Sequence, residues 1–130
     1  MSNHQPIKVA VVDDDVSLCR AVKRLLSAAG IDCACYLSAE EFLECGKAVE
    51  PDCLLLDVQL GGMSGVELQR KLAEEGRELP VIFVTAHDEP EPREQALNAG
   101  CVAFLRKTDP AETILNAIRS AAESPQVQSR

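Results

Sequence analysis

The feature that most constrains the fold is a run of three leucines, residues 54–56, that ends abruptly in Asp57. A short apolar run of this kind is typical of a strand buried on both faces of a parallel sheet. An acid after a strand often does no more than cap a turn or the next helix. However, a second apolar run, residues 9–12, also leads directly into acids, at residues 13–15. Two buried strands that both end in acid predict one acidic pocket.

Five strand-like segments alternate with five segments of helical spacing. The predicted strands cover residues 7–13, 32–37, 53–57, 80–85 and 101–105. The predicted helices cover residues 16–29, 39 to about 46, 65–75, a late-starting stretch that ends near 99, and 110–122. Regular alternation implies right-handed crossovers, so we expect an α/β fold with a doubly wound parallel sheet covered by helices on both faces. The first, third and fourth strands are the most apolar and should be central.

Capping residues indicate where several helices begin and end. Ser38 and Glu41 have the spacing of a capping box, and Gly30 is placed to end the first helix. Asp109 precedes a proline, which predicts an N-cap with proline at the first helical position. Asp15 fits a cap for the first helix better than a place in the pocket.

Composition limits the domain count and the class of partner. With 130 residues, of which 46% are hydrophobic, the chain has room for one domain with a sizeable core. The net charge of −8 argues against direct binding to nucleic acid or to an anionic membrane. No membrane-length apolar run or signal peptide is evident, so we expect a cytoplasmic protein. We expect residues 1–6 to be disordered, residues 7–122 to form the domain and residues 123–130 to form a flexible tail or the start of a linker.

The six cysteines, at positions 19, 33, 35, 45, 53 and 101, raise the question of a disulfide framework. A cytosolic chain with a good aliphatic core does not need one. Cys33 and Cys35 would share one face of a strand, but no second pair of ligands completes a zinc site. We therefore expect buried free thiols that act as small apolar side chains.

The candidate functional residues follow the predicted strands, because sites in such sheets lie beyond the strands' carboxyl ends. Clustered carboxylates repel one another unless a cation intervenes, and a hard ion such as Mg²⁺ prefers oxygen ligands. A hydroxyl from Thr85 and an ammonium from Lys107 both suit phosphoryl oxygens. Together with a carboxylate nucleophile, these groups suffice for phosphoryl transfer to aspartate. No glycine-rich nucleotide loop followed by Lys and Ser or Thr is present.

Over residues 7–122 the chain resembles the receiver domain of two-component response regulators. The matching features are the acid pair Asp13 and Asp14, the single Asp57, Thr85 followed by Ala86, and the sequence Phe-Leu-x-Lys at residues 104–107. Each feature is weak alone, but together and in this order they are specific. The resemblance implies a flavodoxin-like sheet with the strand order 2-1-3-4-5.

The resemblance implies a chemical role for each pocket residue. Asp57 would be the phosphoacceptor and would take a phosphoryl group from a phosphohistidine of a sensor histidine kinase or a phosphotransfer protein. Asp14, Asp57 and the backbone carbonyl of Gln59 would bind Mg²⁺, and Asp13 would bind it through a water. Lys107 would pair with the phosphoryl group.

The resemblance also implies a switch. Thr85 and Ala86 would contact the phosphoryl group, and Phe104 would move inward with Thr85. This movement would change the face formed by the fourth helix, fifth strand and fifth helix, which would contact an effector domain, a downstream protein or a second phosphorylated copy. Simple core filling by Phe104, an ordinary strand-end hydroxyl at Thr85 and a solvated charge at Lys107 are the alternatives.

Two positions depart from the family pattern. Thr108 stands where a cis proline usually follows the pocket lysine, and a non-proline cis bond costs about 2.5–4 kcal/mol. We therefore expect either a trans bond with a shifted loop or a strained cis bond. Gly61 also replaces a proline, and with Gly62 it predicts a loop of increased mobility. Neither change removes a reactive group, so we expect phosphorylation with altered kinetics.

Three functional classes follow. The first is a phosphorylation switch that catalyses only its own phosphorylation and dephosphorylation, either free-standing or as the N-terminal part of a DNA-binding transcriptional regulator. The second is an aspartyl-phosphate hydrolase, although that class usually has a second Asp where this chain has Gln59. The third is a degenerate receiver that acts only as a binding module.

Overall fold

The strands form where the apolar runs predict them. The computed structural model describes residues 6–45, 50–58, 60–77, 79–85 and 102–123. The strands are β1 (Lys8–Val12), β2 (Asp32–Tyr36), β3 (Cys53–Leu56), β4 (Val81–Thr85) and β5 (Ala103–Arg106). The helices are α1 (Val16–Ala28), α2 (Ala39–Cys45), α3 (Gly65–Glu74) and a C-terminal helix (Ala111–Glu123). The helix predicted to end near residue 99 lies outside the described residues.

All five strands pair in parallel in one sheet, with the order β2-β1-β3-β4-β5. This confirms the predicted α/β fold and strand order. The three most apolar strands are central, as predicted, and β3 and β4 are buried at every residue. Apolar side chains on both faces of these strands require a cover of helices on both faces.

The side chains of each strand alternate between two hydrophobic clusters. Val11, Leu55 and Ile82 face one cluster, where α1 and the C-terminal helix cover the sheet. Val12, Leu56 and other neighbouring strand residues face the second cluster, which α2 and α3 cover. Because strand side chains alternate with a period of two, a one-residue shift in pairing would exchange the two sets. The two clusters therefore fix the register of the sheet.

Most of the predicted helix ends are confirmed. The Asp15 carboxylate accepts a hydrogen bond from the Leu18 backbone N–H at 3.2 Å and caps α1. Gly30, just beyond α1, has φ +78°, the left-handed conformation that ends many helices. Ser38 Oγ accepts from the Glu41 N–H at 3.0 Å, as a capping box requires. The Glu41 carboxylate accepts from Leu37 rather than from the cap residue itself.

The predicted start of the C-terminal helix is wrong by one residue. The helix begins at Ala111, and the Pro110 carbonyl accepts hydrogen bonds from Thr113 and Ile114. The Asp109 carboxylate accepts instead from the Arg106 N–H at 3.0 Å. It closes the turn after β5, so it is not available as the helix cap. The described peptide bonds are all trans, including the bond between Lys107 and Thr108.

Four cysteines lie within the part of the chain that the structure describes with side chains, and all four are free thiols. Cys19 and Cys53 are buried, and Cys33 and Cys35 are half-buried on β2 beneath α1. This confirms the prediction of free thiols at these four positions. The pKa of Cys19, Cys33 and Cys53 is raised to about 12, in each case mainly by burial and for Cys19 and Cys33 also by the nearby Cys35.

None of the described helices combines the length and the apolar composition that a membrane span requires.

These thiol environments predict slow alkylation. The thiolate is the reactive form, so a raised pKa leaves Cys19, Cys33 and Cys53 protonated at neutral pH. We expect iodoacetamide to label these three positions far more slowly in the native protein than in guanidinium chloride, as followed by peptide mapping. Equal rates in the two conditions would contradict the proposed burial.

Candidate functional site

The pairing register brings Asp13 and Asp57 to the same edge of the sheet. Val12 of β1 pairs with Leu56 of β3, and each acid is the next residue of its strand's chain. The Asp57 N–H continues the ladder, donating to the Val12 carbonyl at 3.0 Å. Both acids are buried, at 3% and 7% exposure. The register that separates the two hydrophobic clusters therefore also assembles the pocket.

Asp14 joins these two residues. One carboxylate oxygen from each of Asp13, Asp14 and Asp57 lies within 4.8 Å of the others. Asp14 is exposed, whereas its two partners are buried. Asp15, the fourth acid of this region, is turned away to cap α1. The predicted acidic pocket is thus present, and the interpretation of Asp15 as a cap is confirmed.

Lys107 provides positive charge in the pocket. Its Nζ lies 2.9 Å from Asp13 Oδ2 and 3.3 Å from Asp57 Oδ2. The side chain is only 17% exposed. The Lys107 backbone N–H donates to the Thr85 carbonyl at 2.8 Å, which extends the β4–β5 pairing by one residue. The alternative of a solvated charge is therefore excluded for Lys107, even with Thr108 and a trans bond after it.

The pKa of Lys107 reports the balance of forces in the pocket. Burial alone lowers this pKa, because it disfavours the ammonium. The hydrogen bond to Asp13 and the negative charges of Asp57 and Asp13 outweigh burial, so the pKa is raised above its ordinary value of 10.5. Lys107 is therefore charged throughout the physiological pH range.

The Asp13 carboxylate is held by the backbone as well as by Lys107. Its Oδ1 accepts from the Asp15 N–H at 2.9 Å. The Asp13 carbonyl accepts from the Cys19 thiol at 3.4 Å. These contacts fix Asp13 in one orientation, with one carboxylate oxygen towards the backbone and the other towards Lys107.

The remaining predicted site residues differ in where they lie. Thr85 is buried at the end of β4, adjacent to Lys107. Phe104 is half-buried on β5, and its ring centroid lies 6.2 Å from that of Phe83. It packs against the cluster beneath α2 and α3, which fits the alternative of core filling. Gln59 and Ala86 lie outside the described residues.

Gly65 lies against the backbone of Asp57, a contact that the sequence pattern did not predict. It begins α3, and its N–H donates to the Val58 carbonyl at 3.0 Å. A Cβ atom placed on Gly65 would lie 2.2 Å from the Asp57 carbonyl oxygen and 3.1 Å from the Phe83 ring. The backbone of α3 thus presses directly against that of Asp57. Only a residue without a side chain permits this approach, and no spacing rule identifies it.

The donor set fits a hard divalent cation. Three carboxylates and one ammonium carry a net charge of −2, which one such ion would neutralise. Ions of this kind favour carboxylate oxygens and retain water, so one exposed and two buried carboxylates suit them. Softer metals, which favour thiolate or imidazole ligands, are not matched by these three carboxylates.

Gly65→Ala should destabilise the protein and disturb Asp57. The new methyl group would overlap the Asp57 carbonyl oxygen, and overpacking of this kind costs about 1–3 kcal/mol in the free energy of unfolding. Gly61→Ala is the matched control, because a Cβ there meets nothing within 4 Å. We expect the control to change the free energy by less than about 0.5 kcal/mol in urea unfolding. Equal effects of the two substitutions would contradict this assignment.

Known proteins are similar to this chain in both sequence and fold. The sequence-family model of the response regulator receiver domain matches residues 9–119 of this chain. The response regulator protein TmoT of Ectopseudomonas mendocina is 37% identical over 119 residues, which cover 92% of this chain and 54% of TmoT. The transcriptional regulatory protein FixJ of Azorhizobium caulinodans is 30% identical, over 90% of this chain and 56% of FixJ. The chain therefore spans about half of the length of these curated relatives.

A solved structure supports the same relationship. The crystal structure of a response regulator receiver protein from Burkholderia phymatum is 44% identical, with a TM-score of 0.80. The match covers 93% of this chain and 98% of that one. The family match begins at the second residue of β1 and includes the other four strands, the acidic pocket and Lys107. This chain belongs to the response regulator receiver domain family.

Proposed function

We propose that the protein is a phosphorylation switch in which Asp57 accepts a phosphoryl group from a phosphohistidine. The observation that carries the proposal is the contact of Lys107 Nζ with Asp13 and Asp57 beside a third carboxylate. In the transfer, the phosphorus–nitrogen bond of the donor breaks and a phosphorus–oxygen bond to Asp57 forms. The electron pair of the broken bond stays on the imidazole, which then takes up a proton.

Magnesium fits this pocket and would supply neutralisation of charge on the transferred group. Asp14 and Asp57 would hold it directly, Asp13 through a water, and the backbone carbonyl of Gln59 is a further proposed ligand. The protein's own contribution is orientation. The backbone hydrogen bond to Asp13 and the close approach of Gly65 to Asp57 fix the two buried acids. Lys107 would then shift from the carboxylates to a phosphoryl oxygen.

The proposed output is a change of surface. The phosphoryl group would attract the Thr85 hydroxyl, with Ala86 beside it, and Phe104 would move in step against Phe83. A ligand shifts such an equilibrium only by its differential affinity for the two states, and a phosphoryl group can contact Thr85 in only one of them. The affected face would include β5 and the C-terminal helix.

The partners follow from this mechanism. We assign the donor to a sensor histidine kinase or phosphotransfer protein in the cytoplasm. Residues 7–122 would form the receiver unit and residues 123–130 a tail or linker. The curated relatives are about twice as long as the match, which is consistent with an effector unit in them, and FixJ is named a transcriptional regulatory protein. A downstream protein or a phosphorylation-dependent homodimer would use the same face.

The central prediction concerns Asp57. Incubation with Mg²⁺ and acetyl phosphate should add one phosphoryl group, measured by intact mass, and Asp57→Asn should abolish the gain. Asp15→Asn is the matched control, since it removes a nearby acid but keeps a good helix cap. Rapid multiple turnover of phosphoesters would instead support a hydrolase, and no modification of the wild type would leave only a binding module.

A second prediction concerns Lys107. Lys107→Met removes a positive charge that contacts two carboxylates of the proposed metal site, so Mg²⁺ should bind more tightly. We expect roughly a tenfold lower Kd by calorimetry, equivalent to about 1.4 kcal/mol. Phosphorylation by acetyl phosphate should nevertheless slow, because the ammonium no longer faces the phosphoryl group.

Arg106→Met is the control for the change in net charge. Arg106 is the exposed last residue of β5 and directly precedes Lys107, so its loss removes one charge without emptying the pocket. An equal gain in Mg²⁺ affinity for both variants would show that net charge, rather than contact, sets the affinity.

A further inference from the structure

We propose that Glu40 on α2 is a positioning residue for Asp57, acting through the loop that joins β3 to α3. This inference rests on the proposed role of Asp57. The glycine loop (residues 60–64) contains Gly61 and Gly62, and these two glycines predict high mobility for it. Glycine loses more conformational freedom on ordering than any other residue, so two of them in succession make an ordered loop costly. A contact made to the loop by another element would offset part of this entropic cost.

The first turn of α2 is a rigid place from which to make such a contact. Ala39 and Phe42, on either side of Glu40, are completely buried in the cluster beneath α2 and α3. The Phe42 ring packs edge-on against Tyr36, with ring centroids 5.3 Å apart. Ser38 caps this turn through the Glu41 N–H. Glu40 therefore projects from a helix start that is fixed both by packing and by capping.

The Glu40 carboxylate meets the glycine loop at its tip. Its Oε2 accepts a hydrogen bond from the Met63 N–H at 3.2 Å. A Cβ atom on Gly62 would lie 3.1 Å from the same oxygen, and Gly62 has φ +84°, which an L side chain rarely adopts. Because Gly62 has no side chain, the Glu40 carboxylate can lie directly against the backbone of the loop. The contact is thus between a side chain of one helix and the bare backbone of the loop.

The contact lies two residues from the backbone that supports Asp57. Ser64 caps α3 through a complete capping box with Glu67. Gly65 follows. Its N–H donates a hydrogen bond to the Val58 carbonyl, and its Cα lies close to the Asp57 carbonyl. A displacement of Met63 is therefore transmitted through one capped turn to the Asp57 backbone. Glu40 does not need to touch the reacting atoms to affect their geometry.

Three variants of the full 130-residue chain separate the hydrogen bond from its confounding effects. Glu40→Ala removes both the acceptor and the negative charge. Glu40→Gln removes the charge but keeps an oxygen that can accept from Met63. Glu41→Ala removes a neighbouring carboxylate that serves the start of α2, where it accepts from Leu37, and leaves the glycine loop untouched.

The test measures hydrogen exchange at the Met63 amide and the rate of phosphorylation at saturating acetyl phosphate and Mg²⁺. Glu40→Ala should accelerate Met63 exchange and slow phosphorylation by about two- to tenfold, the range expected from one hydrogen bond of ordinary net strength. Glu40→Gln should resemble the wild type in both measurements. Glu41→Ala should leave Met63 exchange unchanged, even if it lowers the stability of α2.

Three results would overturn the proposal. In Glu40→Ala these are unchanged Met63 exchange and an unchanged rate of phosphorylation. The third is a rate defect in Glu40→Gln as large as that in Glu40→Ala, which would assign the effect to charge. Failure of the proposed function gives a different pattern, since the wild type would then not be phosphorylated. In that case a change in Met63 exchange would no longer bear on Asp57, and the positioning role would fall with it.

Discussion

The pocket depends on the interaction of one ammonium with two buried carboxylates. Asp13 and Asp57 lie side by side with very little exposure to solvent, and Lys107 contacts both within 3.3 Å. Two such charges would repel strongly in a medium of low polarity, and loss of the partner of a buried charge is costly. We expect the same lysine to weaken the binding of a divalent cation, because its ammonium contacts two of the three carboxylates that would hold the ion. The stability of the pocket and the proposed reactivity of Asp57 therefore depend on the same contacts.

Much of the architecture follows from local patterns in the sequence. The leucines before Asp57 and the apolar run before Asp13 predict central parallel strands, and strand polarity then predicts a common acidic edge. The strand order came from the family resemblance, and the structure confirms it. The cap on α1 was predictable because Asp15 directly precedes the first residue of the helix. Asp109 was not, because a carboxylate beside a turn and a helix start has two sets of N–H donors within reach.

What the sequence could not predict is the close approach of backbones. Gly65 against Asp57, and Glu40 against Gly62 and Met63, are contacts between segments that no periodicity relates. They depend on the tilt and depth at which α2 and α3 pack on the sheet, which the packing of the whole cluster determines. The glycine loop also shows why composition alone is incomplete. Two glycines predict freedom, but a neighbouring carboxylate and a capping box restrict it.

The order of the pocket residues along the chain has a consequence for biosynthesis. Asp13 and Asp57 belong to strands that pair directly, whereas Lys107 follows the last strand, 50 residues after Asp57. A ribosome-bound chain can therefore pair β1 with β3 while the lysine is still unmade. At that stage the two acids would repel each other without a counter-charge, which would keep that edge of the sheet open to water. We expect the acidic edge to be the last part of the sheet to close, when β5 and Lys107 dock.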